Sequence, residues 1–128
     1  MRKKISEISN SQKWMYTAPV YIVAVADIKC RIIDSEKLDL IETTGLFELK
    51  QIIRDTTFSI SHILLESENQ GLSTCVVADF IQKDIKNVLS IPKDKFVVGV
   101  ITLGYSEMKK NIDHKRRELK DMIRYEKW

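Results

Sequence analysis

Three apolar runs punctuate this chain, with helical patterns between them. Residues 20–28, VYIVAVADI, are almost continuously apolar and rich in β-branched side chains. That pattern predicts a strand covered on both faces. Residues 96–105, FVVGVITLGY, predict a second strand of the same kind, and residues 72–78, LSTCVVA, a short buried one. From 47 to 70 the apolar positions Leu49, Ile52, Ile53, Ile60, Ile63, Leu64 and Leu65 recur at three- and four-residue spacing. This predicts an amphipathic helix. Gly71 stands where a left-handed residue closes such a helix, since glycine reaches positive φ at little cost. Residues 81–91 predict a short surface helix with Ile81, Ile85, Val88 and Leu89 on one face, followed by a turn on Pro92.

The ends are less regular. Ile5, Ile8 and Met15 among charges give residues 2–16 a weak helical pattern, which Pro19 must end. Residues 29–45 read as an irregular loop, and the tail from 106 to 128 loses periodicity. The order is therefore helix, strand, helix, strand, helix, strand, tail. That alternation predicts an α+β fold, a layered domain with helices against a sheet.

Length and composition narrow the class. A chain of 128 residues is one domain by length, able to bury roughly two thirds of its surface. Apolar residues at 44%, charged residues at 30% and a net charge of +3 are ordinary for a soluble globular protein. No apolar run reaches the roughly 18 residues that a bilayer span needs. The basic start has no apolar core behind it, so it is not a secretory signal. Cys30 and Cys75 lie far apart and predict two reduced thiols in a cytoplasmic chain.

Chemistry is sparse. There is no phosphate-binding glycine loop and no metalloprotease helix. His62 and His114 have no metal-site spacing with either cysteine. Cys75, on a strand read as buried, is expected to be a small core residue rather than a nucleophile. The tail is the most charged region: residues 109–128 hold eight Lys or Arg against four acids. Its cluster of His114, Lys115, Arg116 and Arg117 suits a phosphate, whose oxygens match guanidinium forks. A solvated charged surface is the plainer alternative. Tyr125 and Trp128 are not interleaved through the cluster, which argues against a nucleic-acid surface.

Three stretches, APVYIVAVAD, ILLESENQGLSTCVVADF and VVGVITLGY with the later RRELKDMIRYEKW, stand together in one order. In that order and spacing they resemble the nitroreductase family. The second is similar to the family's L-L-x-A-x-x-x-G-L-G-T-C-W-I-G-x-F, and the third to its G-Y, basic pair and closing Y-E-K-W. The resemblance implies a mixed sheet flanked by helices, an extended C-terminal tail and an intertwined homodimer. It implies FMN as cofactor and NAD(P)H as reductant. The electron acceptor would be a small nitro, quinone or similar compound, with no nucleic acid or membrane involved. By register, the flavin edge would fall on Val76, Val77, Ala78 and Asp79, and the phosphate on His114 and Arg116. The cofactor itself would carry the chemistry.

The departures from the family pattern are specific. The R-R-S-x-R helix and the N-P-S-x-x-N-x-Q-P segment are not found in residues 1–128, so the single domain reads as N-terminally truncated relative to the family. Ser73 replaces a glycine, and Val76-Val77-Ala78 replaces Trp-Ile-Gly. His114 stands where a more basic residue is usual, and it is only partly charged at neutral pH. An alternative therefore stands beside the flavoenzyme: a non-catalytic relative that dimerises or binds a partner without flavin.

Overall fold

A computed structural model describes residues 1–107 and 116–127; the call on His114 lies outside them. Three strands form one sheet: β1 (Val20–Asp27), β2 (Ser73–Val77) and β3 (Lys95–Gly104). Helices α1 (Arg2–Ile8), α2 (Phe47–Asn69) and α3 (Gln82–Leu89) flank it, and α4 (Leu119–Met122) is one turn in the tail. Short 3₁₀ turns fill residues 13–17, 28–30 and 35–37. The α+β class follows directly from this arrangement.

The last strand in sequence is the middle one in space, with order β1-β3-β2. β1 pairs from Val20↔Leu103 to Asp27↔Lys95, and β2 from Ser73↔Gly104 to Val77↔Val100. Both pairings are antiparallel, where the family resemblance led us to expect a mixed sheet. Between Ala24 and Val25 the register slips, leaving Val98 unopposed as a bulge.

Two apolar cores lie on opposite faces. On one, Ile5, Met15 and Ile85 pack against Val77, Val97 and Val100. On the other, Leu49 and Ile52 of α2 pack with Ala26, Ile28 and Leu40, and Phe96 and Val98 join them. Adjacent residues Val97 and Val98 thus serve different cores, as the pleat requires.

Several expectations change. β1 and β2 are only partly covered, because among the described residues each is a sheet edge and β3 alone has a neighbour on both sides. Cys75 is consequently exposed rather than part of the core. Leu65 is exposed, off the stripe that carries Leu49, Ile52 and Ile60 inward. The inner face of α3 is rotated: Ile81 is exposed and lies before the helix, while Gln82, Ile85 and Lys86 are buried.

Gly71 does close α2. Its φ is +72°, the Leu72 N–H donates to the Ser67 carbonyl at 2.8 Å, and its own N–H donates to that of Glu68 at 3.0 Å. Those two bonds form a Schellman cap. A second helix uses a less suitable residue, since Ser90 closes α3 at φ +55°. Gly104 answers a different need: a Cβ there would stand 2.6 Å from Pro19 Cδ.

The two left-handed caps predict changes of opposite sign. Gly71→Ala is expected to destabilise the fold by about 1 kcal/mol. Ser90→Gly is expected to stabilise it by about 0.5–1 kcal/mol. Urea unfolding of the two variants beside the parent checks both signs.

Candidate functional site

The residues predicted for the flavin edge lie where β2 runs out and α3 begins. Val77 is the last β2 residue paired with β3, and its side chain is buried in the core. Ala78 and Asp79 follow beyond the ladder and are exposed, as is Val76 before them. Phe80 tucks back against the core shared by α1 and α3, and Ile81 turns outward. The result is a short turn, residues 78–81, in which Ala78, Asp79 and Ile81 are exposed.

Three contacts fix this turn. The Asp79 carboxylate accepts a hydrogen bond from Asn10 Nδ2 at 3.1 Å. Asn10 itself sits at φ +53°, a conformation asparagine tolerates. The Asp79 side chain is therefore engaged by the segment after α1. At the other end, the Gln82 side-chain amide grips β3 twice. Its Nε2 donates to the Val97 carbonyl at 2.8 Å, and its Oε1 accepts from the Val97 N–H at 2.9 Å. The Gln82 backbone N–H donates to the carboxylate of Glu42. That places an acid at the amino end of α3, where the helix dipole favours it.

One turn further along α3, Lys86 is buried and donates from Nζ to the carbonyls of Leu40 and Lys93. It joins the 38–46 loop to the turn before β3. Burial pushes the Lys86 ammonium below its ordinary pKa, opposed by the nearby charges of Asp39, Glu42 and Asp94. At the start of β3, Lys95 bridges Asp27 at 2.7 Å and Asp94 at 3.0 Å. The hydrogen bond from Lys95 holds the Asp27 carboxyl below its usual value, and the same bond raises Lys95. Among the described residues no three His, Cys, Asp or Glu side chains gather as a metal site. No helix there is long and apolar enough to cross a membrane.

A nitroreductase family model matches residues 3–105. The chain belongs to the nitroreductase family. It is similar to a nitroreductase family protein from Clostridium novyi, with 26% identity, TM-score 0.59, and coverage of 84% of this chain and 57% of that one. It shares the fold of B. megaterium NfrA2, with 24% identity, TM-score 0.77, and coverage of 99% and 53%. It also shares the fold of an FMN-dependent nitroreductase from Clostridium difficile, at 19% identity and TM-score 0.54, covering 100% of this chain and 89% of that one. The chain thus spans little more than half the length of the first two. No curated protein matches it.

Against this family background the two halves of the expected site differ. Val76, Val77, Ala78 and Asp79 are contiguous, with only Val77 buried. Arg116 is exposed in the tail, and among the described residues no hydrogen bond or ion pair ties it to the turn. Ala78 and Asp79 are exposed and the Ala78 side chain is small, which is what close approach of a planar ring would require. The phosphate side is not assembled beside it. Sequence reasoning missed Glu42, Gln82 and Lys86. The one available signal was polar residues at Gln82 and Lys86, spaced four apart and flanking Ile85.

Lys86→Met is expected to cost about 1–3 kcal/mol at neutral pH, because the Leu40 carbonyl loses its donor while buried. The pH dependence has a definite sign. With the folded pKa lowered, the unfolded chain binds more protons as pH climbs toward the ordinary value of 10.5, so stability rises across that window. Urea titrations from pH 7 to 10 check that this rise is present in the parent and lost in the variant.

Proposed function

We propose that the chain forms the flavin-facing part of an FMN-dependent oxidoreductase of its family. The observation that carries this reading is the turn itself: in register with the family motif, an exposed Ala78–Asp79 backbone lies just past the last β2–β3 pair. Backbone N–H groups there would meet a ring edge. The Asn10 bond keeps the Asp79 carboxylate engaged with protein.

When bound, FMN supplies the hydride chemistry. The chain's part is to seat and orient the ring with Val76, Ala78 and Asp79, with Val77 anchoring them from the core. Arg116 and His114 would hold the phosphate, Arg116 as a permanent cation. Bringing Arg116 to the turn requires the tail to return, from the same chain or from a second copy in a homodimer. The reductant would be NAD(P)H and the acceptor a small nitro or quinone compound, in a cytoplasmic setting.

A second reading is a partner-binding relative without flavin. It is favoured by the tail, where Leu119, Met122, Ile123 and Tyr125 are all exposed and join neither core of the described residues. Apolar side chains in that state suit a protein surface.

An absorbance spectrum before and after adding FMN and desalting separates the two. A retained flavin band is expected, and Arg116→Ala should weaken FMN binding about tenfold or more, the scale of a lost charged hydrogen bond. A chain that stays colourless supports the partner-binding reading instead.

A further inference from the structure

We propose that Gln82 is a positioning residue for the Ala78–Asp79 turn, acting as a side-chain substitute for a missing strand; this rests on reading that turn as the flavin edge. β2 leaves the sheet after Val77, so its last partner on β3 is Val100. β3 continues to Lys95, and on that side Val97 has no backbone neighbour from β2. The Gln82 amide takes the vacant place. It offers one donor and one acceptor, as a peptide group would, and Val97 uses both at 2.8 and 2.9 Å. Gln82 is 3% exposed, so this exchange takes place away from water, where each bond is hard to replace.

The consequence for the turn is geometric. Its entry is fixed at Val77 by Val100, and its exit at Gln82 by Val97, both on the same strand. Four residues, 78–81, must bridge two anchor points on one rigid element. Glu42 adds a third restraint at the Gln82 N–H, and Asn10 a fourth at Asp79. Backbone groups held this way are already placed for a ligand, which lowers the ordering cost of binding it. Ile81 is exposed and carries no hydrogen-bonding side chain, so without the amide the exit loses its tie to β3 and keeps only the Glu42 contact and α3.

The test compares the parent with Gln82→Met, which keeps the length and apolar volume of the side chain but neither bond. Val88→Ala is the control, since it removes half-buried core volume from the same helix at a residue outside the turn. Each is measured for thermal stability, FMN affinity, the midpoint potential of bound FMN, and hydrogen exchange at Val97. Gln82→Met is expected to bind FMN about tenfold more weakly, to shift the potential, and to exchange the Val97 amide at least about tenfold faster. Val88→Ala, though destabilised, should leave affinity and potential unchanged. If Gln82→Met resembles Val88→Ala in affinity and potential, Gln82 is merely structural and the proposal fails. If Gln82→Met does not fold, Gln82→Glu, which keeps an acceptor for the Val97 N–H but loses the donor to the Val97 carbonyl, should show the same loss in weaker form; unchanged binding there overturns the proposal. A parent chain that takes up no FMN overturns the reading of the turn, and the proposal with it.

Discussion

Everything in this fold hangs on β3, the strand that must satisfy neighbours on both sides with partners of unequal length. β1 runs beside it to its first residue, Lys95, but β2 ends after five paired residues, at Val77. A buried strand cannot leave its N–H and C=O groups unmatched without a cost comparable to a lost hydrogen bond. The gap beside Val97 is closed by a single amide side chain, Gln82. Because that residue opens α3, the same contact that completes the sheet also sets where the helix starts and how the intervening turn lies. The bulge at Val98 falls next to it, so the ladder is irregular on both sides of one short span.

Polar groups recur wherever α3 meets the rest of the protein. Gln82 bonds β3, Lys86 bonds Leu40 and Lys93, and Glu42 reaches back to the helix start. The apolar contribution of α3 is correspondingly narrow, centred on Ile85, with Val88 and Leu89 half-buried. Directional bonds of this kind specify one arrangement more sharply than apolar contact does, since each has a fixed partner. The 38–46 loop, which has little regular structure, is held in place by the same groups. The turn that carries the family motif is therefore restrained at both ends.

The family assignment and the functional reading draw on different parts of the chain. Membership rests on residues 3–105, which contain the sheet, its helices and the turn. The cations read as a phosphate site lie after them in sequence, and the described tail residues, Arg116 among them, join neither core. The turn proposed to face a ring and the tail proposed to hold a phosphate are thus separable, and only the first is built by contacts among the described residues.

How much was legible in the sequence follows from this division. All three strands and the three main helices were visible in it, because apolar period and β-branching report local geometry directly. Gly71 announced its own cap, since few other residues accept its φ. The motif around Val76–Asp79 marked the turn. The tertiary structure alone decided which strands were edges, and so exposed Cys75, and which face of α3 turned inward. It alone paired Gln82 with Val97, 15 positions away, and Lys86 with Leu40, 46 away. Periodicity counts apolar side chains and treats a glutamine or lysine as surface. A polar side chain is buried only when distant backbone supplies its partners, and those partners exist only once the chain has folded.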